Sequence, residues 1–387
     1  ATRVEELPGL LETAYRLAVT PPSGPTYVEV PFDLLSTSTS MQLPVLDPEP
    51  DALPVPDVAA AAAVLSSAPN PVVWAGGGVI RSGAWKELVE VADLLDAPVV
   101  TTYMGKGAIP EDHPLSAGSA CNDPAFAQLV GKAGVVLCVG TELGAETTSQ
   151  YQLRFEGQVI QIDAEPGRVG ATYPTVGLVG DARQTLRALI PLLEKRKVDG
   201  DRRARAARPH APEGLERRLL HTIRDAVPQD GLIAWDMTIL AYHAAAYFPA
   251  TRPRRFLYPL GSGTLGFAWP AALGAKSVLG ETPCLAVAGD GGFAYGMSEL
   301  ASARQHDLDA KLLLVDDGGY GILREYQTSS FEATHGVDLV QPDFEAAVAA
   351  YGVPVRKTTP EKLGADLRWA LETSGPAAVV LHERLRS

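Results

Sequence analysis

Apolar positions recur along this chain with two different periods. Residues 4–19 place Leu7, Leu10, Leu11, Ala14 and Leu17 on one side of a 3.6-residue repeat, which predicts an amphipathic helix. Pro21-Pro22-Ser23-Gly24-Pro25 stops it, and residues 26–30 predict a short strand ending at Pro31. Residues 36–56 are rich in Ser, Thr and Pro with no period, the mark of a linker. Asp57 then stands as the N-cap of a helix over 57–65. From there, short apolar runs take over, at 71–75, 98–102, 134–139, 158–163, 231–235, 284–288, 311–315 and 377–382. Runs of this length bounded by Gly or Asp predict strands buried on both faces, as in parallel sheets. Between them, residues 83–95, 219–226, 297–306, 344–351 and 361–373 predict covering helices, and 353–356 a further short strand.

Alternating strand and helix give an α/β fold with two doubly wound parallel-sheet domains. The expected boundaries are 57–195 for the first and 215–387 for the second, with linkers at 37–56 and 196–214. The second linker is basic and contains Gly and Pro, which reads as solvated chain. Residues 1–36 hold one αβ unit, which cannot bury its own faces and is not a domain by itself. After the strand at 71–75 comes Gly76-Gly77-Gly78, but Ile80 and Arg81 stand where a G-x-G-x-x-G loop needs its later positions. A structural turn is the favoured reading there, with a nucleotide such as FAD the less favoured one.

The chemistry concentrates between Cys284 and Gln327. Strands at 284–288 and 311–315 are each broken by an acidic, glycine-rich turn, Gly289-Asp290-Gly291-Gly292 and Asp316-Asp317-Gly318-Gly319. Ligands of parallel sheets bind beyond the carboxyl ends of the strands. Neighbouring strands would bring Asp290 and Asp317 to within about 5–8 Å of each other. Two carboxylates, a backbone carbonyl and phosphate oxygens make a hard, six-coordinate site suited to Mg²⁺. The glycines leave room and backbone N–H groups for a phosphate. Taken singly, an Asp-Gly pair makes a turn; two pairs closing successive strands of one unit are a stronger signal.

Gly289-Asp290-Gly291, a 24-residue spacing (292–315) and an acidic pair before a small loop resemble the thiamine diphosphate motif. The resemblance is to the acetolactate synthase, benzoylformate decarboxylase and pyruvate oxidase family, and it runs over essentially the whole chain. It implies thiamine diphosphate and Mg²⁺ as cofactors, with the metal held by Asp290, Asp317 and the Gly319 carbonyl. It implies diphosphate contacts from Gly291 and Gly292. It also implies that Gly263, Thr264 and Leu265 support a bent cofactor, with Leu265 as the wedge, and that Asp236, Met237 and Thr238 lie against the diphosphate. Tyr320, Gly321 and Ile322 would open a helix near the reacting centre. The family usually has Asn-Asn where this chain has Asp316-Asp317, and acetolactate synthases usually carry Met and Trp where it has Ile322 and Tyr326.

On this resemblance residues 1–36 match the last part of a pyrimidine-binding domain, and the family's activating glutamate is not in the sequence. Glu29 reads as structural, and His243 and His306 as surface or core histidines. The implied activity is a lyase or carboligase acting on a 2-oxo acid. The alternative is an inactive or partner-dependent cofactor-binding chain. Either reading needs a homo-oligomer or a separate pyrimidine-domain chain to complete the site.

Bulk composition changes the picture only by exclusion. Net charge is −13, which argues against a nucleic-acid partner. No run approaches 18 apolar residues, so no membrane span is expected. The first residues lack an apolar core of the signal-peptide kind, and the three cysteines form no close pair, so a reducing cytoplasmic setting is expected.

Overall fold

The computed structural model describes residues 1–42, 52–196, 209 and 211–386. Two six-stranded, all-parallel sheets organise it. The first contains β1 (Pro71–Ala75), β2 (Val99–Thr101), β3 (Ser116–Gly118), β4 (Val135–Val139), β5 (Gln158–Asp163) and β6 (Val176–Val179), in the order β3-β2-β1-β4-β5-β6. The second contains β7 (Leu232–Trp235), β8 (Phe256–Leu257), β9 (Cys284–Gly289), β10 (Ala310–Asp316), β11 (Val355–Thr358) and β12 (Ala377–His382), in the order β11-β12-β10-β9-β7-β8. The central strands β1, β4, β9, β10 and β12 are buried on both faces by helices, only the carboxyl-terminal residues of β9, β10 and β12 being half-buried. Side chains alternate between two clusters on each sheet. Leu285, Val287, Leu313 and Val315 face one side, and Ala286, Ala288, Leu312 and Leu314 the other.

Central strands fall where the apolar runs place them, as do helices such as Trp85–Leu95 and Leu363–Glu372, whereas the helices Pro124–Gly131, Ala182–Leu189, Ile239–Tyr247 and Ala268–Leu279 were not expected. The helix expected over 57–65 runs Ala59–Ser67 with Val58 at its N-cap position, and Asp57, one residue earlier, accepts from Ala59 N–H at 3.0 Å instead of capping it. The linker reading at 37–56 and 196–214 lies partly outside the described residues.

Further details differ from expectation. Residues 26–30 form no strand, because a strand is defined by a ladder and, among the described residues, no neighbouring strand lies beside this one. The αβ remnant is therefore a helix, Leu7–Val19, followed by extended chain. The turn after β9 is itself the first turn of a short helix, Asp290–Gly296, so the next helix begins at Glu299 rather than Met297. The glycine run after β1 opens a further helix, Gly77–Ser82. The short edge strands β3, β6 and β8 are unforeseen: Ser-Ala-Gly offers no apolar run, Val-Gly-Leu-Val is interrupted by glycine, and Phe-Leu is only two residues long.

The sheets meet through a buried polar contact. Lys106 Nζ lies 2.8 Å from Glu111 and donates to Ser119 Oγ at 2.7 Å, and Ser119 Oγ donates to Ala245 O at 2.8 Å across the boundary. No helix among the described residues is long and apolar enough to cross a membrane.

Candidate cofactor and metal site

β9 and β10 are neighbours, and Val315 pairs with Gly289. Asp290 and Asp317 therefore both emerge at the carboxyl ends of adjacent strands, in a cavity of about 200 Å³. The cavity wall includes Met237, Thr238, Gly263, Leu265, Gly291, Gly292, Gly319, Tyr320, Gly321 and Ile322 together with the two aspartates. Three segments far apart in sequence are thus brought to one place: the end of β7, the loop before the Ala268–Leu279 helix, and the βαβ unit.

Two predicted residues stand apart from that wall. Thr264 is exposed at the turn. The buried Asp236 carboxylate is taken up by backbone: it accepts from Met237 N–H at 3.0 Å, Gly266 N–H at 3.2 Å and Ala268 N–H at 2.9 Å. It ties the end of β7 to the loop that carries Leu265, and acts on the cavity through that loop.

The electrostatics are those of a cavity short of positive charge. Asp290 is 2% exposed, and its carboxyl is pushed up to about 7, chiefly by burial, with the nearby Asp317 and Asp316 charges adding to the effect. Burial likewise pushes Asp317 up to about 6, against the pull of Arg324. Asp317 Oδ1 is buried without a hydrogen-bond partner. An orphaned carboxylate oxygen on one of two aspartates lining the same cavity is what a bound cation would satisfy. Among the described residues no three His, Cys, Asp or Glu side chains cluster as a metal site, so any cation here depends on two carboxylates plus backbone oxygen.

Close approach explains the glycines. A Cβ on Gly321 would lie 2.0 Å from Asp317 Oδ2, and one on Gly291 would lie 2.6 Å from the Tyr320 ring. The Gly291 N–H is not free, since it donates to Asp290 Oδ1 at 2.8 Å. Asp316, one residue before the cavity aspartate, turns to β12. Its Oδ2 lies 2.9 Å from His382 Nδ1, and His382 Nε2 lies 2.8 Å from Glu345.

Sequence reasoning missed Ile239 and Tyr242, which also line the cavity. They follow Thr238 at the positions expected of a helix's first turn, a signal that was present. It also missed Gln341, whose amide donates to Asp290 Oδ2 from 51 residues away. No spacing rule reaches that contact.

Fold and cavity together define an α/β protein of the doubly wound kind with a carboxylate-lined ligand site at the strand ends. Comparison with known proteins narrows this. Residues 58–189 match the thiamine pyrophosphate enzyme central domain, and residues 236–381 the thiamine pyrophosphate enzyme C-terminal TPP binding domain. The chain is 35% identical over 394 residues to a protein of Pseudomonas aeruginosa described as a probable 2-ketoarginine decarboxylase, covering 97% of this chain and 70% of that one. It is 29% identical over 402 residues to the large subunit of acetolactate synthase isozyme 3 of Escherichia coli, covering 96% and 70%. A solved thiamin diphosphate-dependent enzyme structure from Mycobacterium smegmatis superposes with a TM-score of 0.78 at 24% identity, over 100% of this chain and 75% of that one, which supports the fold. The chain belongs to the thiamine pyrophosphate enzymes.

Proposed function

We propose that this chain carries the diphosphate- and metal-binding half of an enzyme that removes the carboxyl group of a 2-oxo acid. The remaining carbon unit is passed to a proton or to a second carbonyl compound. The observation that carries this reading is the pair of carboxylates closing adjacent strands in the cavity, the buried Asp290 and the half-buried Asp317, whose Oδ1 is buried without a partner. Their oxygens and the Gly319 carbonyl would hold Mg²⁺, a hard cation that prefers such donors. When bound, thiamine diphosphate supplies an electron sink for the carbon beside the carbonyl.

The chain's own residues do the rest. Gly291 and Gly321 keep the cavity open where any side chain would collide. Leu265 and Ile322 give it an apolar wall that supports the cofactor and limits water. Thr238, Gly263 and Tyr320 complete the wall around the two aspartates. Among the described residues those aspartates are the only carboxylates lining the cavity, and the exposed Glu29 lies on extended chain whose carbonyl accepts from the N-terminal amine. The acid that assists proton removal therefore comes from outside this cavity, through a second copy or a further segment.

The similarity to a protein described as a 2-ketoarginine decarboxylase puts 2-oxo acids with a cationic side chain on the test panel, beside pyruvate and aromatic 2-oxo acids. The test is CO₂ release by the assembled enzyme, loaded with thiamine diphosphate and Mg²⁺. Release from at least one member supports the reading. No release from any member, with the cofactor shown to be bound, would favour an inactive, cofactor-binding chain.

A further inference from the structure

We propose that Gln341 is a positioning residue of the metal site: its side-chain amide, carried on a brace that also holds the Gly319 loop, fixes the Asp290 carboxylate for the cation. The proposal rests on the reading that Asp290 and Asp317 bind a divalent metal.

Both oxygens of Asp290 accept a hydrogen bond. Gly291 N–H takes Oδ1, and the Gln341 amide takes Oδ2. Two donors at fixed places define the plane of the carboxylate. Each carboxylate oxygen has two lone-pair directions, so Oδ2 can accept the amide and still face a cation. The donor type matters as well. An amide orients the carboxylate and leaves its charge uncompensated, whereas a Lys or Arg in this position would neutralise the charge and compete with the metal.

Gln341 is held in place from both sides. On the N-terminal side, Tyr320 N–H donates to Val337 O at 2.8 Å, Leu339 N–H donates to Gly318 O at 3.2 Å, and Gly319 bridges to Asp338. Arg324 fastens the same contact, donating from Nε to Asp338 Oδ1 at 2.8 Å and from Nη2 to Gly318 O at 3.1 Å. Gly319 has φ of +145°, and a Cβ there would lie 2.1 Å from Val337 O, so loop and brace are fitted backbone to backbone. On the C-terminal side, Asp343 accepts from Ala346 N–H at 2.8 Å to cap the Phe344–Ala350 helix. Phe344 then packs 6.2 Å from Phe293, which belongs to the helix that Asp290 begins. The brace thus connects the two metal-bearing loops, and Gln341 is its contact with the first. Val340 beside it is fully exposed, so the outer side of the brace contributes nothing to its hold. Outer partners of metal ligands that set orientation in this way typically contribute 10–100-fold to affinity.

The test is Mn²⁺ binding to the full chain with thiamine diphosphate, followed by the electron paramagnetic resonance signal of free Mn²⁺. Gln341→Leu keeps the size and removes the donor. It should weaken Mn²⁺ binding about 10–100-fold and leave the melting temperature of the metal-free chain unchanged. Val340→Ala should change neither. Unchanged or tighter Mn²⁺ binding in Gln341→Leu overturns the proposal, tighter binding meaning that the amide blocks the ion. Should Gln341→Leu melt early, Gln341→Met is measured. A Met variant that melts normally but binds Mn²⁺ weakly supports the proposal, and one that also melts early shows a purely structural residue and overturns it. Asp290→Ala, run alongside, separates the two levels. If it binds Mn²⁺ like the parent, the metal-site reading itself fails, and if it alone loses Mn²⁺, only the role of Gln341 fails.

Discussion

A buried carboxylate with neutral donors and no counter-charge keeps its proton to higher pH. Asp290, raised from 3.8 to about 7 by burial and by its acidic neighbours, has a testable linkage. Between those two values the folded, unliganded chain binds more protons than the unfolded one, so this group's contribution to stability falls as pH rises from about 4 to about 7. The unliganded protein should lose stability over that window by an amount on the order of a few kcal/mol, and Asp290→Asn should flatten the loss. Urea denaturation at several pH values measures it; an equally steep loss in Asp290→Asn would show that other groups carry it. Leu265→Ala should lower kcat on the order of 10²-fold through lost orientation while leaving Mg²⁺ affinity nearly unchanged. Equal losses in kcat and metal affinity would mean that Leu265 holds the loop rather than the cofactor. At this scale the two aspartates were legible because each Asp-Gly pair closes an apolar run. Gln341 was not, since its contact is made by tertiary folding alone. Asp236 was noticed for its place at a strand end, but its use by three backbone N–H groups appears only once the loop folds over it.

Elements follow burial, which is why their legibility is uneven. Runs such as Leu312–Val315 and Ala377–Leu381 are buried on both faces and leave a continuous apolar signature. Edge strands β3 and β6 have one neighbour each and need no such signature. The 26–30 segment has the right alternation but nothing to pair with, and a strand pattern without a partner stays extended chain. The Gly76–Gly78 run shows what its glycines do: a Cβ on Gly78 would lie 2.6 Å from Gly140 Cα, where the turns that follow the paired strands β1 and β4 come together. Gly78→Ala should destabilise the fold by about 1–3 kcal/mol through overpacking, with thiamine diphosphate affinity unchanged in the folded fraction. Calorimetric melting checks it, and a variant as stable as the parent would remove the close-packing account of this loop.

For the whole molecule, two parallel sheets were legible from the alternation of apolar runs and helices, whereas the order of their strands and the contact between them were not. Lys106, Glu111 and Ser119 meet Ala245 by tertiary placement, with no local pattern to announce it. The Leu7–Val19 helix buries none of its residues, and Leu17 is 63% exposed and Phe32 89%. Such a face is a liability in water, so the chain produced alone should self-associate or fail to turn over; a monodisperse, active monomer by light scattering would contradict this. The central claim is that Asp290 and Asp317 anchor thiamine diphosphate through a divalent cation. Isothermal titration of thiamine diphosphate into the chain with Mg²⁺, compared for the parent, Asp290→Ala and Asp317→Asn, tests it most directly. The account predicts that Asp290→Ala abolishes the binding heat, that Asp317→Asn retains binding because an amide oxygen still serves as a ligand, and that chelating the metal abolishes it in the parent. Parent-like affinity in Asp290→Ala, or binding in the parent that is indifferent to chelation, would contradict it.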